Sequence, residues 1–278
     1  MRVKKIIQFG KSIINNFRNQ IRFIIYKNYL PANPRQDDLY LVEFPKSGIT
    51  WLSTIIANIY IQIANKDKKE FVTFFNIIRY AYEIDAAIFN KVFIGNLMLI
   101  GNRRVIKSHS NFNPYYLRVV YILRNPLDVM VSYYNYMQDL GWKGDFIKFV
   151  KSKEHGIYAW KNNVNGWINE SNNGYNQIHL IKYEDLLKNP VKEIKDIYQN
   201  LGENIDINII EKALELSSVE NMKKSEEFYR KHSPNYTMSF VGKEGKIPKE
   251  KLLTNEIKEH IIKETRSILE RFYPELLI

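Results

Sequence analysis

Not one of the 278 residues is cysteine. That absence removes disulfides, thiolate nucleophiles, cysteine-ligated zinc and iron–sulfur clusters together, and it fits a reducing, cytoplasmic setting. The GxxxxGK[ST] order of a Walker loop is also missing, and no group of His and carboxylates stands at metal-ligand spacing, so the reading calls for no metal. Long apolar runs are lacking as well. Over residues 1–30, Lys and Arg interrupt Ile, Phe and Tyr too often for a bilayer span, and no small-residue cleavage site follows a clean apolar core. Residues 1–34 are therefore read as a basic amphipathic leader, either packed on the domain or in peripheral contact with a membrane surface. Acidic residues are outnumbered: 41 Lys and Arg against 30 Asp and Glu leave a formal charge of +11, which favours anionic partners without choosing among them.

What remains, residues 35–278, is enough for one large domain, and 45% hydrophobic against 26% charged residues is the composition of a chain that folds. The stretch DLYLVEF reads as a buried strand stopped by Pro45, and a helix should begin near Thr50 and run through WLSTIIANIYIQIA. Further strands are expected at RRVIKSH, LRVVYIL and IHLIKY, each a continuous apolar run of the kind buried in a parallel sheet. Pro126 suits the first turn of a helix after the third strand, and Pro190 should break the helix that follows the fourth. Strands alternating with helices predict an α/β fold, a central parallel sheet flanked by helices on both faces, with ligands at the carboxyl ends of the strands.

Three segments carry chemistry. In FPKSGITW a short turn joins a strand to a helix start, so the amides of Ser47, Gly48, Ile49 and Thr50 are expected to face outward with the positive end of the helix dipole, an anion site to which Lys46 adds charge. In YILRNPLDVMVSYYNYM, Arg124 ends a strand and Ser132 lies two helical turns on, over the same mouth, where a guanidinium can grip a phosphate with two hydrogen bonds. The alternative for Arg124 is an ion pair with Asp128, four residues on. Between them VIKSHSNF places His109 at a strand end, where a base titrating near neutrality can take an acceptor's proton, with Lys107 close by to offset charge. The other histidines, His155, His179, His232 and His260, read as structural.

In this order the segments resemble the cytosolic-type sulfotransferases, which depend on 3′-phosphoadenosine 5′-phosphosulfate. FPKSGITW is similar to that family's PKSGTTW loop, with Ile49 the one departure, and the resemblance gives Lys46 the bridging oxygen of the leaving group and Trp51 the adenine. Arg124 and Ser132 match the family's 3′-phosphate site, and VIKSHSNF its KTHLP segment. The stretch IHLIKYEDLLKNP matches a region whose tyrosine, here Tyr183, lies near the adenine; without the resemblance, Tyr183 merely ends a strand. SSVENM resembles the adenine segment TSFxxM, with Ser217 in place of Thr and Val219 in place of the aromatic. FVGKEGKIP aligns with the closing loop RKGxxGDW through Gly242 and Gly245, but Phe240 and Val241 stand where Arg and Lys are usual and Ile247 where Trp is. Lys243 or Lys246 is then the candidate substitute at the phosphate.

The resemblance implies sulfuryl transfer to a hydroxyl or amine of a small-molecule or glycan acceptor, in line, with His109 as base, without metal and without nucleic acid as partner. It leaves the oligomeric state open. Two alternatives stand beside it: a nucleotide-dependent kinase using the same strand–loop–helix for a phosphate, and a non-catalytic nucleic-acid binder exploiting the positive charge and 14% aromatic content.

Overall fold

The computed structural model describes residues 30–31, 34–64, 72–73, 76–84, 103–170, 176–232 and 246–277. The leader, apart from Leu30, Pro31 and Pro34, lies outside these residues, as do Gly242, Lys243 and the rest of 233–245.

Five parallel strands form one sheet in the order β2-β3-β1-β4-β5. They are β1 Leu39–Glu43, β2 Ala81–Glu83, β3 Val105–Ser108, β4 Arg118–Leu123 and β5 Gln177–Lys182. β1 is central and every one of its residues is buried, which is why it reads as an unbroken apolar run up to Glu43. Its side chains alternate between two cores. Tyr40 and Val42 face one; Leu39 and Leu41 face the other.

On the Leu41 side pack α1 (Ile49–Ala64), α7 (Pro190–Asn200) and α8 (Ile207–Leu216), through side chains such as Leu52, Ile56, Ile194 and Ile210. On the Tyr40 side pack α3 (Pro126–Asp139), α5 (Ile157–Glu170) and α11 (Asn255–Phe272), through Met130, Trp160, Trp167 and Ile261. Both tryptophans are wholly buried. Truncating either to Ala costs on the order of 3–5 kcal/mol, because removing so much volume leaves a hole the neighbours only partly fill. The remaining helices are α2 (Ile77–Tyr80), α4 (Phe146–Val150), α6 (Tyr183–Lys188), α9 (Val219–His232) and α10 (Lys249–Leu252).

The expected α/β architecture is therefore the observed one, and the four expected strands are there. β2 is an addition. Its three residues are too few to show a period in the sequence, and it forms because Ala81 to Glu83 pair in register with Val105 to Lys107 of β3. The helix starts follow local rules. Asn125 caps α3, its side chain accepting from the Leu127 amide at 2.9 Å, and Pro126 takes the first position, where no amide is needed. Pro190 ends α6 and opens α7.

At the amino ends of the strands Asp38, fully buried, takes the Arg104 guanidinium in a two-pronged pair at 2.7 and 2.6 Å, joining β1 to β3. The opposite ends are built differently.

Candidate active site

All five strands deliver a side chain to one cavity at their carboxyl ends: Glu43 and Glu83 close β1 and β2, and His109, Arg124 and Tyr183 directly follow β3, β4 and β5. The cavity holds about 510 Å³. The turn from β1 to α1 contributes Lys46, Gly48, Ile49, Thr50 and Trp51 to its wall, β3 contributes Lys107, and α3 contributes Ser132, Tyr133 and Tyr136.

The turn is tightly made. Lys46 takes a positive φ of 75°, a conformation that costs an L-residue energy and is retained where the surroundings over-determine it. Gly48, at φ 120°, lies so close to Tyr183 that an added Cβ would fall 2.4 Å from that ring, so only glycine allows the approach. Arg124 secures the turn from β4, donating to the Lys46 carbonyl at 2.9 Å while its guanidinium stacks 4.4 Å from the centre of the Tyr183 ring. The alternative pairing of Arg124 with Asp128 does not form: Asp128 takes Lys249 instead. The Nε of Arg124 is buried without a hydrogen-bond partner among the described residues, although the residue itself lines the cavity.

One expectation about the turn is corrected. The Ser47 and Ile49 amides do not face outward. Ser47 donates from its amide (3.2 Å) and its hydroxyl (2.8 Å) to the Phe44 carbonyl, and is buried. The Ile49 amide donates to Glu43 Oε2 at 2.6 Å and the Lys46 amide to Glu43 Oε1 at 3.1 Å. Glu43 is 2% exposed, so its carboxylate has to find donors nearby, and the turn's own amides supply them. Gly48 and Thr50 are the residues of the turn whose amides carry no such bond.

Charge is concentrated here. Burial, and then the nearby Lys246, pull the Lys46 ammonium down to about 8 from its ordinary 10.5, and it rests 4.7 Å from the Tyr136 ring centre. Burial likewise pushes the Glu43 carboxyl up. Glu83 moves the other way, held below the usual range by Lys107, whose ammonium donates to it at 3.0 Å. His109 lies between the two carboxylates, Nδ1 3.8 Å from Glu43 and Nε2 3.9 Å from Glu83.

Toward the rim, Trp51 donates its indole N–H to the Ser217 carbonyl at 3.0 Å, and Asn58 donates to the Ser217 hydroxyl at 2.9 Å. Ser217 is fully buried, so it holds Trp51 in place from behind rather than lining the cavity. Val219 does line it and is 60% exposed, leaving open the side where an aromatic was expected. The backbone of Ile247 is tied to α3 at both polar atoms, its amide donating to Asn135 Oδ1 at 2.8 Å and its carbonyl accepting from Asn135 Nδ2 at 3.1 Å. This tether brings the neighbouring Lys246 into the field of Lys46.

The expected residues Lys46, Gly48, Ile49, Thr50, Trp51, Lys107, His109, Arg124, Ser132 and Tyr183 thus meet around one cavity, while Ser47 and Ser217 stand behind its wall. Glu43 was missed. The available signal was an acidic residue ending a buried strand, which is costly unless something uses it. Among the described residues no cluster of His, Asp or Glu could hold a metal ion, and no helix is long and apolar enough to cross a membrane.

Comparison with known proteins agrees with this geometry. A family profile described as "Sulfotransferase domain" matches residues 36–277, and the chain belongs to that sulfotransferase family. Relatives include sulfotransferase 1E1 of Bos taurus, 29% identical over 244 residues covering 83% of this chain and 76% of that protein. Sulfotransferase 1 family member D1 of Mus musculus is 30% identical over 217 residues, 73% of this chain and 70% of that protein. Among solved structures, mouse sulfotransferase SULT7A1 complexed with PAP superposes with a TM-score of 0.60 at 20% identity, covering 92% of this chain and 90% of that one. Retinol dehydratase in complex with androsterone and PAP superposes at 0.64 with 18% identity, covering 89% and 85%. The chain is a sulfotransferase with that fold.

Proposed function

We propose that the chain transfers a sulfuryl group from 3′-phosphoadenosine 5′-phosphosulfate to a hydroxyl or amine of a small-molecule or glycan acceptor, in line, with His109 as general base. The carrying observation is the single cavity in which the anion-binding turn, Arg124 and His109 converge at the carboxyl ends of the strands.

The residues present fit such a donor. The Arg124 guanidinium and Ser132 line the same mouth, which suits the 3′-phosphate. The Lys46 ammonium, the Thr50 hydroxyl and the Gly48 and Thr50 amides suit the phosphosulfate, and Trp51 and Tyr183 offer ring surface to the adenine. Lys246, held by the Asn135 tether, supplies positive charge where the closing loop lacks its usual pair. When bound, the donor supplies a sulfuryl group whose S–O bond to the 5′-phosphate breaks as the acceptor atom bonds to sulfur. His109 takes the acceptor's proton, and Lys46 and Lys107 hold the negative charge that gathers on the leaving oxygen and the sulfuryl oxygens. Tyr133 and Tyr136, beside Glu83, form the acceptor side and suit a ring-bearing molecule.

Thermal stabilisation tests the donor. 3′,5′-Adenosine bisphosphate should raise the melting temperature while ATP and single-stranded DNA leave it in place; stabilisation by ATP or DNA instead would return the kinase or nucleic-acid reading. A labelled-sulfate screen over phenols, steroids, amines and glycans then assigns the acceptor.

A further inference from the structure

Glu43 is the one buried carboxylate of the cavity that the mechanism above does not use, and its surroundings do not account for it as a structural residue alone. A strand end inside a sheet core is a costly place for a carboxyl group, and an apolar or hydroxyl side chain would close β1 more cheaply. What its position achieves is contact in two directions. Its oxygens accept the Ile49 and Lys46 amides at 2.6 and 3.1 Å, fixing the turn, and Oε1 also stands 3.8 Å from Nδ1 of His109.

We infer that Glu43 is a positioning residue for the base: it holds His109 with Nδ1 toward its carboxylate, leaving Nε2 to take the acceptor's proton, and it ties that orientation to the turn that holds the donor. The inference rests on the assignment of His109 as base. As the acceptor–sulfur bond forms and the bond from sulfur to the 5′-phosphate breaks, the acceptor's proton moves to Nε2. His109 becomes an imidazolium, and the Glu43 charge on its far side stabilises it.

The groups around Glu43 and His109 set what a rate profile will show. From the turn comes Lys46, from β3 Lys107, from β4 the Tyr121 hydroxyl, and from β2 Glu83, which stands 3.9 Å from Nε2. Burial raises the Glu43 carboxyl, and the neighbouring His109, Lys107 and Lys46 oppose that rise. Glu83 accepts from Lys107 through Oε2 at 3.0 Å and faces Nε2 through Oε1, whereas the carboxylate facing Nδ1 is Glu43, at 3.8 Å, an ion-pair distance longer than a hydrogen bond.

A double-mutant cycle on the full chain decides the matter. Glu43→Gln keeps the shape and one acceptor oxygen but removes the charge. It should lower kcat about 10- to 100-fold, short of the ~10²–10⁴ that the base itself supplies, and move the acidic limb of the rate profile to lower pH. The dissociation constant for 3′,5′-adenosine bisphosphate should stay within about threefold, because one acceptor remains for the turn. In a His109→Ala background the same change should cost less than about twofold further, since its effect passes through a side chain no longer present. Glu43→Asp, which keeps the charge, should hold the wild-type limb and serves as the reference if the Gln variant melts early. Equal losses from Glu43→Gln in both backgrounds, or a kcat within threefold of wild type with the limb unmoved, would overturn the inference. Full activity in His109→Ala alone would remove the base assignment instead, a result distinct from either.

Discussion

The two ends of the sheet handle charge in opposite ways. At the amino ends, Asp38 and Arg104 are matched one to one with both prongs of the guanidinium engaged. At the carboxyl ends, Lys46, Lys107 and Arg124 line one cavity with Glu43 and Glu83, Lys107 pairs with Glu83, and Lys46 is depressed by burial and by the like charge of Lys246. A matched buried pair contributes to holding β1 beside β3. Like charges crowded at a half-buried cavity wall are a cost to the free protein that an anionic ligand relieves. The contrast separates residues that make the fold from residues that the fold spends stability to keep.

Substitutions at the two ends should therefore fail in different assays. The largest effect belongs to His109→Ala, which should lower sulfuryl-transfer kcat by roughly 10²–10⁴-fold with little change in melting temperature; near-normal turnover would break the assignment. Asp38→Ala should do the reverse, losing about 3–5 kcal/mol in denaturant unfolding by stranding Arg104, with kcat close to wild type in the protein that remains folded. Should it instead abolish turnover in folded protein, the two ends would not be separable. Arg124→Met should weaken 3′,5′-adenosine bisphosphate by about 10- to 100-fold in calorimetric titration, the loss expected for charge-assisted hydrogen bonds to a phosphate.

A smaller effect is expected from pH. Because the Lys46 proton leaves near pH 8 in the free protein, and an anion binds the protonated form better, affinity for the bisphosphate should be steady below about pH 8 and fall above it, by up to about tenfold per unit. Lys46→Met should remove that slope; a slope unchanged in the variant would assign it to Lys246 or another group. The smallest effect is at the open rim, where Val219→Phe should tighten the bisphosphate by about 2- to 10-fold by adding ring surface.

How much of this was legible in the sequence followed from how local each feature is. The central strands and α1 announce themselves as continuous apolar runs, and the turn at Lys46 and Gly48 through a short pattern with a mechanical reason, since Gly48 meets the Tyr183 ring. β2 was not legible because three residues carry no period; only pairing with β3 makes them a strand. The inward aim of the Ile49 amide was hidden for a related reason. It depends on where Glu43 lies once β1 is buried, and six residues of separation gave no hint that the two would bond. Ser217 was expected to line the adenine side, but it lies behind Trp51 through a contact across 166 residues, which no local rule supplies.

The distribution of the four tryptophans gives the molecule an optical property. Trp160 and Trp167 are sealed in the core, and Trp142 packs edge-on against Phe149 and His155, 5.5 and 6.1 Å away, one ring behind the cavity-lining Tyr133. Trp51 alone among them lines the cavity, its indole fixed by the Ser217 carbonyl. A change in intrinsic fluorescence when a nucleotide enters thus reports chiefly on Trp51, the indole in the cavity wall, and the chain can be titrated without any attached label.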